Sequence, residues 1–233
     1  MSSYEGTYLT QRSLMSDILS IYISSFFILL GISIISPILP IYAESFNVNY
    51  TLVSLAISMY AFGRFLADIP VCLLSDKIGR KPLMISGTLI LTLCSILNAT
   101  ASTFLLFLLY RFLEGVGSAM WMTSRTTLLA DILKPEQRGR VMSYFQAFML
   151  LGSSAGPTVG GYIAMIYGLN APFYAYALVG ALSLALTFFF IKEDKGSVKE
   201  HGVGSSFSLP LVKKLLMNTS FSMACLATFT LFS

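Results

Sequence analysis

Ser75-Asp76-Lys77-Ile78-Gly79-Arg80-Lys81-Pro82 is a charged turn set between two long apolar runs. The run before it is interrupted only by Arg64 and Asp68, and the run after it carries no charge until Arg111. On its own, such a turn fits many surfaces. Between two segments that must each cross a bilayer, it becomes a short, basic, glycine-hinged connection on one membrane face. The composition supports that setting: 55% of the 233 residues are hydrophobic and 11% are charged, against roughly 25% charged in soluble domains. Crossing about 30 Å of hydrocarbon takes about 20 mostly apolar residues. Six complete runs of that kind are present: Ile18 to Ile41, Leu52 to Leu74, Leu83 to Ala101, Phe104 to Leu129, Val141 to Tyr167 and Pro172 to Ile191. A seventh begins near Leu215 and reaches Ser233.

The placement of Lys and Arg sets the orientation. Lys77, Arg80 and Lys81 lie between spans 2 and 3, and Lys134, Arg138 and Arg140 between spans 4 and 5. Lys192, Lys195, Lys199, Lys213 and Lys214 lie between spans 6 and 7, and Arg12 precedes span 1. The alternate loops, at Glu44 to Asn47, Thr100 to Ser102 and Gly168 to Asn170, contain neither. Every basic loop therefore falls on one side, which places the N-terminus in the cytoplasm of a multi-pass protein of the cell membrane. The net charge of +4 reflects this bias and gives no reason to invoke nucleic acid. Residues 1–17 carry Glu5, Arg12 and Asp17 without a short apolar core, so no cleaved signal peptide is expected. Residues 192–214 are polar and rich in Gly and Ser, as in a cytoplasmic linker between two bundles.

The arginines outside the loops, Arg64, Arg111 and Arg125, all lie inside predicted helices. Charge in hydrocarbon is costly, turns towards protein or water, and marks function by default. Arg64 and Asp68 are spaced i, i+4, and Arg111 and Glu114 i, i+3, so each pair shares a helix face. By the rise of a helix, Asp68 lies about 12 Å and Arg125 about 9 Å from the same membrane boundary. An Asp68–Arg125 pair between spans 2 and 4 is therefore expected. For Arg111–Glu114 two readings stand. The pair either holds spans 1, 2 and 4 together, or it takes part in transport, since an acid beside a permanent cation changes its proton occupancy when that cation moves.

Four motifs in order carry a family resemblance. The turn resembles the loop joining helices 2 and 3 of major facilitator superfamily transporters, Gly-x-Leu-Ala-Asp-Arg-x-Gly-Arg-Lys. Here Leu74, Asp76, Lys77, Gly79, Arg80 and Lys81 match or substitute conservatively, while Cys72 replaces the first Gly. Span 1 has Leu30-Gly31, then Pro37 and Pro40, similar to the Leu-Gly-x5-Pro-Val-x-Pro pattern of twelve-helix drug:proton antiporters. Span 4 has Arg111-Phe112-Leu113-Glu114-Gly115-Val116-Gly117, resembling Arg-x-x-Gln-Gly-x-Gly with Glu114 for Gln. Span 5 matches Gly-x-x-x-Gly-Pro-x-x-Gly-Gly at Gly152, Gly156, Pro157, Gly160 and Gly161, a stripe that also suits plain close helix packing.

The resemblance implies an all-α integral membrane fold: the six-helix N-terminal bundle of a major facilitator, built of 3+3 inverted repeats, plus the start of a seventh helix. The division is 1–17 cytoplasmic segment, 18–191 bundle, 192–214 linker and 215–233 truncated seventh helix. It further implies that Arg80 docks on Asp131, that Asp76 acts in gating against the other half, and that the remaining half of the transporter is a partner along with lipid, protons and a small-molecule substrate. Proton-coupled efflux of small amphipathic compounds is the leading function, with Glu114 and Asp68, beside Arg111 and Arg64, as proton-coupling candidates. A carrier of a sugar, organic acid or other metabolite, and a non-transporting bundle, are the alternatives. Span 1 departs from the drug exporters in having no acid between Asp17 and Glu44.

Enzyme chemistry and cofactors are not expected. The single histidine, His201, cannot form a His-rich metal site, and the phosphate-loop pattern Gly-x-x-x-x-Gly-Lys-Ser/Thr is absent from the sequence. Cys72, Cys94 and Cys225 sit in apolar runs without paired spacing and read as buried free thiols. Tyr22, Phe26, Trp121 and Met122 read mostly as packing residues. The orientation is directly testable in intact cells. Cysteines introduced at Asn47 and Asn170 should react with membrane-impermeant maleimide added outside, and one at Ser197 should not; labelling of Ser197 would invert the topology.

Overall fold

A computed structural model of the chain describes the backbone of residues 2–133 and 135–190, with side chains from Ile18 onward except those of Asp76 and Pro135. The linker, the seventh span, His201 and Cys225 lie outside the described residues. Seven α-helices run in order: α1 (Ser2–Ile35), α2 (Leu39–Glu44), α3 (Tyr50–Ile78), α4 (Arg80–Ala99), α5 (Phe104–Ile132), α6 (Pro135–Tyr167) and α7 (Ala171–Phe190). The described residues contain no strand. Five of these helices are long and apolar enough to cross a membrane: the Ile18–Ile35 part of α1, then α3, α4, α5 and α7. The helix covering the expected fifth span, α6, is as long, but glycines, serines, glutamines and threonines dilute its apolar content below that of the others.

The prolines and caps explain where helices stop. Expected span 1 divides before Ile41, because Pro37 and Pro40 have no N–H to donate. Residues 36–38 form a turn in which Ile38 N donates to Ile35 O at 2.9 Å, and Pro40 lies in the opening turn of α2. Asn49 caps α3 by accepting from Leu52 N at 3.0 Å, and Thr103 caps α5 through Leu106 N at 3.4 Å, each satisfying an N–H that the helix leaves open. The charged turn of the sequence is shorter than expected. α3 continues to Ile78 and α4 starts at Arg80, leaving Gly79 alone at φ +107°, a conformation that glycine adopts without steric cost.

Lipid offers helices no hydrophobic reason to associate, so small residues that let backbones approach decide which helices pair. The pairs are α1 with α6 and α7, α5 with α3 and α4, and α4 with α7. A Cβ on Gly63 would strike the Phe112 carbonyl oxygen, and one on Gly115 the Tyr60 carbonyl oxygen, which locks α3 to α5. Gly87 and Gly117 join α4 to α5, with a Gly87 Cβ only 2.7 Å from Gly117 O. Gly152, Gly156 and Gly160 lie against Phe26, Ser33 and Ile34 of α1, and Gly31 faces the Tyr176 ring on α7. Exchanging α1 with α5, α3 with α6 and α4 with α7 leaves this set of pairings unchanged, consistent with a three-plus-three repeat.

At one end of the bundle, Tyr42 of α2 is buried against Phe107 and Phe173, with ring centroids 5.3 and 4.7 Å away, and donates to Asn98 O at 2.8 Å. Lys77, Arg80, Lys81, Arg138 and Arg140 gather at the opposite end, where α3 meets α4 and α5 meets α6. Of the described cysteines, Cys94 is buried as expected, but Cys72 is exposed, because it lies on the side of α3 facing away from α5.

Gly115→Val should therefore cost on the order of 1–3 kcal/mol or more through overpacking. Gly161→Ala should cost little, since nothing lies within 4 Å of a Cβ there. Thermal stability of the purified full-length protein by fluorescence-detected size exclusion measures both. Equal melting temperatures for the two variants would refute the crossing.

Candidate functional site

The polar centre of the bundle is built on α5. Its buried face, Phe107, Arg111, Glu114, Gly115, Ser118, Trp121 and Arg125 among others, recurs at helical spacing, so the charged side chains turn inward rather than to lipid. Glu114 is 1% exposed. Its Oε2 accepts from Arg111 Nη1 at 2.7 Å and from Asn98 Nδ2 of α4 at 3.0 Å. The Arg111 guanidinium also lies 4.8 Å from the centre of the Tyr60 ring on α3, and Tyr60 OH donates to Ser118 Oγ at 2.7 Å. The pair is thus held by residues of α3, α4 and α5 together. Asn98 Oδ1, Arg111 Nε and Tyr176 OH, all buried, have no hydrogen-bond partner among the described residues. Chemically, this is one carboxylate oxygen gripped by two donors with spare polar atoms beside it. A proton on Glu114 would weaken the grip on Arg111 and give Asn98 Oδ1 a donor to accept from.

A second group lies between α3 and α5. Arg64 Nε stands 3.9 Å from Asp68 Oδ2, both side chains half-exposed, and Thr123 Oγ1 donates to Asp68 Oδ1 at 3.2 Å. The expected Asp68–Arg125 pair is absent. The depths were matched correctly, but helix rise says nothing of azimuth. Asp68 shares the open face of α3 with Arg64, whereas Arg125 turns into the bundle against Trp121 and Phe145, whose rings lie 4.3 and 4.6 Å away.

The third group closes the basic end. Arg80 Nε meets Asp131 Oδ2 at 3.1 Å while Arg80 Nη1 donates to Ser75 O at 2.7 Å, so one guanidinium ties the end of α5 to the end of α3. Lys81 Nζ donates to Phe188 O at 3.0 Å, and Arg138 donates to Leu133 O and Ala130 O. The Arg138 contacts fall on carbonyls that the C-terminal end of α5 leaves open. Gly79 supplies the reversal between Lys77 and Arg80. The side chain of Asp76 lies outside the described residues.

Of the residues singled out by sequence, the structure thus brings together Arg111 with Glu114, Arg64 with Asp68, and Arg80 with Asp131. Gly152, Gly156 and Gly160 meet α1, Pro157 lies inside the continuous α6, and Gly161 faces open space. Trp121 is fully buried, and Tyr22 OH donates to Val141 O at 2.6 Å. Sequence reasoning passed over Asn98, Tyr60 and Tyr176. Asn98 had a signal: an amide within an apolar span needs a partner there as much as a charge does.

Helices of membrane length, locked by glycine crossings around the buried Arg111–Glu114 pair, define a multi-pass integral membrane protein. A sequence profile of the Major Facilitator Superfamily matches residues 21–233, and the chain belongs to that family. It is 28% identical over 210 residues to an uncharacterized MFS-type transporter of Methanocaldococcus jannaschii, covering 88% of this chain and 54% of that one. It is 27% identical over 181 residues to the quinolone resistance protein NorA of Staphylococcus aureus, covering 78% and 46%. The chain therefore spans about half the length of the curated relatives it matches. The crystal structure of the human organic anion transporter MFSD10 (TETRAN) shares the fold, with a TM-score of 0.67 at 22% identity over 77% of this chain and 48% of that one.

The Arg80–Asp131 contact predicts a coupled pair. Arg80→Gln and Asp131→Asn should each lower the melting temperature of the full-length protein, and the double variant should lose less than the sum, by about 1 kcal/mol. Strict additivity would show that the contact holds nothing.

Proposed function

We propose that this chain supplies the N-terminal half of a proton-coupled exporter of small amphipathic compounds in the cell membrane, with its N-terminus in the cytoplasm. The observation that carries the reading is Glu114, a carboxylate 1% exposed at the centre of a membrane bundle, held by Arg111 and Asn98. A buried charge of that kind is costly to keep. A neutral Gln could still bond to both neighbours, but it would leave the buried Arg111 cation without its counter-ion. Retaining an ionisable group suits a residue whose proton comes and goes. In this reading protonation of Glu114 frees Arg111, and the freed cation shifts the packing between α3, α4 and α5. Asp68, half-exposed and bonded to Thr123, is the second acid of this half.

The efflux direction is supported by the similarity to a quinolone resistance protein and by the Gly-x-x-x-Gly-Pro-x-x-Gly-Gly run of α6, whose glycines let α6 and α1 lie close together. Residues 192–214 act as the cytoplasmic linker to the second half, and 215–233 begin it. Asp76, beside the Gly79 reversal, acts with that half in gating.

In the full-length carrier reconstituted in liposomes, Glu114→Gln should abolish accumulation of a fluorescent, carboxylate-bearing quinolone against its gradient under an imposed proton gradient. Downhill movement and exchange should persist, since binding does not require the charge. Uphill accumulation at the wild-type level with an unchanged pH profile would remove Glu114 from the coupling step.

A further inference from the structure

Arg125 is treated differently from the other arginines of α3 and α5. Arg111 has Glu114 and Arg64 has Asp68, but no described carboxylate lies within ion-pair distance of Arg125. The residue is 2% exposed, and its Nε and Nη1 have no hydrogen-bond partner among the described residues. The Trp121 and Phe145 rings attract the cation through their π-faces. They offer no oxygen acceptor to its N–H bonds.

The deficit extends beyond the arginine. Ser124 Oγ and Trp121 Nε1 are likewise buried and without a partner. Residues 121, 124 and 125 are spaced i, i+3 and i+4, so they occupy one face of α5. Guanidinium and indole N–H groups donate only, and the hydroxyl is free to donate as well. What this face lacks is therefore an acceptor, and an acceptor beside an uncompensated cation is best supplied by an anion. Around the donors, Trp121, Phe145, Met149 and the partly buried Tyr22 and Met122 make an apolar and aromatic surround.

We infer that this face of α5 binds the carboxylate of an amphipathic organic acid. The guanidinium donates charge-assisted hydrogen bonds to a carboxylate from Nε or Nη1. Ser124 and Trp121 extend the donor set, and the rings take the apolar body of the acid. Because Arg125 is closed off in this structure, entry needs α5 and α6 to part locally. The inference rests on the transport reading, whose substrate class it names, but binding is measurable without transport.

The test uses the purified full-length carrier with sodium salicylate as probe, sodium chloride at equal concentration as the inorganic-anion control, and melting temperature as readout. Wild type should be stabilised by salicylate in a saturable way, and chloride should do less. Arg125→Gln should melt no lower than wild type without salicylate, because it removes a buried charge that has no partner. Its affinity for salicylate should fall at least about tenfold. Arg125→Lys carries the same affinity test independently, since it keeps the charge and loses the planar guanidinium.

Four results would overturn the site: no response of wild type to salicylate, an equal response to chloride, unchanged affinity in the arginine variant that folds, or a lower melting temperature for Arg125→Gln without ligand. The last would mean that an acidic side chain elsewhere in the carrier already occupies these donors. A carrier that passes these tests but concentrates no compound would keep the site and lose the transport reading. One that exports the quinolone and ignores salicylate would do the reverse.

Discussion

The crossing of α3 and α5, with Gly63 against the Phe112 carbonyl and Gly115 against that of Tyr60, sets the terms for the rest of this bundle. With a carbonyl oxygen where each Cβ would stand, α3 and α5 touch backbone to backbone. Lipid tails are as apolar as leucine, so only such packing and interhelical hydrogen bonding choose partners. The glycines at 87, 117, 152, 156 and 160 make the same choice for α4 against α5 and for α6 against α1. Between them they position five helices by shape rather than by hydrophobicity.

Close crossings also decide where charge fits. Gly115 and Gly117 lie immediately after Glu114, so the segment of α5 that carries the acid is the segment most tightly held by α3 and α4. Arg111, one turn earlier, is thereby carried under the Tyr60 ring, and Asn98 reaches the carboxylate from α4. A small rotation of α5 would break the Gly115 contact and the Asn98 hydrogen bond at once. Packing and polar bonding are therefore coupled at this point, and a change in one state of Glu114 is felt at two helix interfaces.

Much of this was legible in the sequence because membrane helices leave few ways to satisfy a backbone. Apolar run length gave the helices, and the i, i+3 spacing of Arg111 and Glu114 gave their ion pair. The resemblance at 74–81 implied the meeting of Arg80 with Asp131. Two things were not legible. Helix rise placed Asp68 and Arg125 at one depth, but pairing also needs matching azimuths, which depend on how each helix is rotated by its crossings. The extent of the loop at 75–82 was also hidden: polar residues there suggested a connection, whereas Gly79 alone reverses the chain. The last turn of α3 and the first of α4 tolerate charge because they stand at the bundle's end.

Three arginines on two adjacent helices thus meet three different fates, and the differences follow from local neighbours rather than from depth. Arg64 is half-exposed beside Asp68, a loose pair at 3.9 Å whose worth is small while solvent or a polar surface screens it. Arg111 and Glu114 are buried and close, so removing either partner strands a charge, whereas removing both together does not. Arg125 is already in the stranded condition among the described residues, held by aromatic faces and short of acceptors. Counting only these five groups, two acids stand against three cations, and the interior of the bundle carries one uncompensated positive charge. The balance resides at Arg125 itself, because the other two arginines already have their carboxylates.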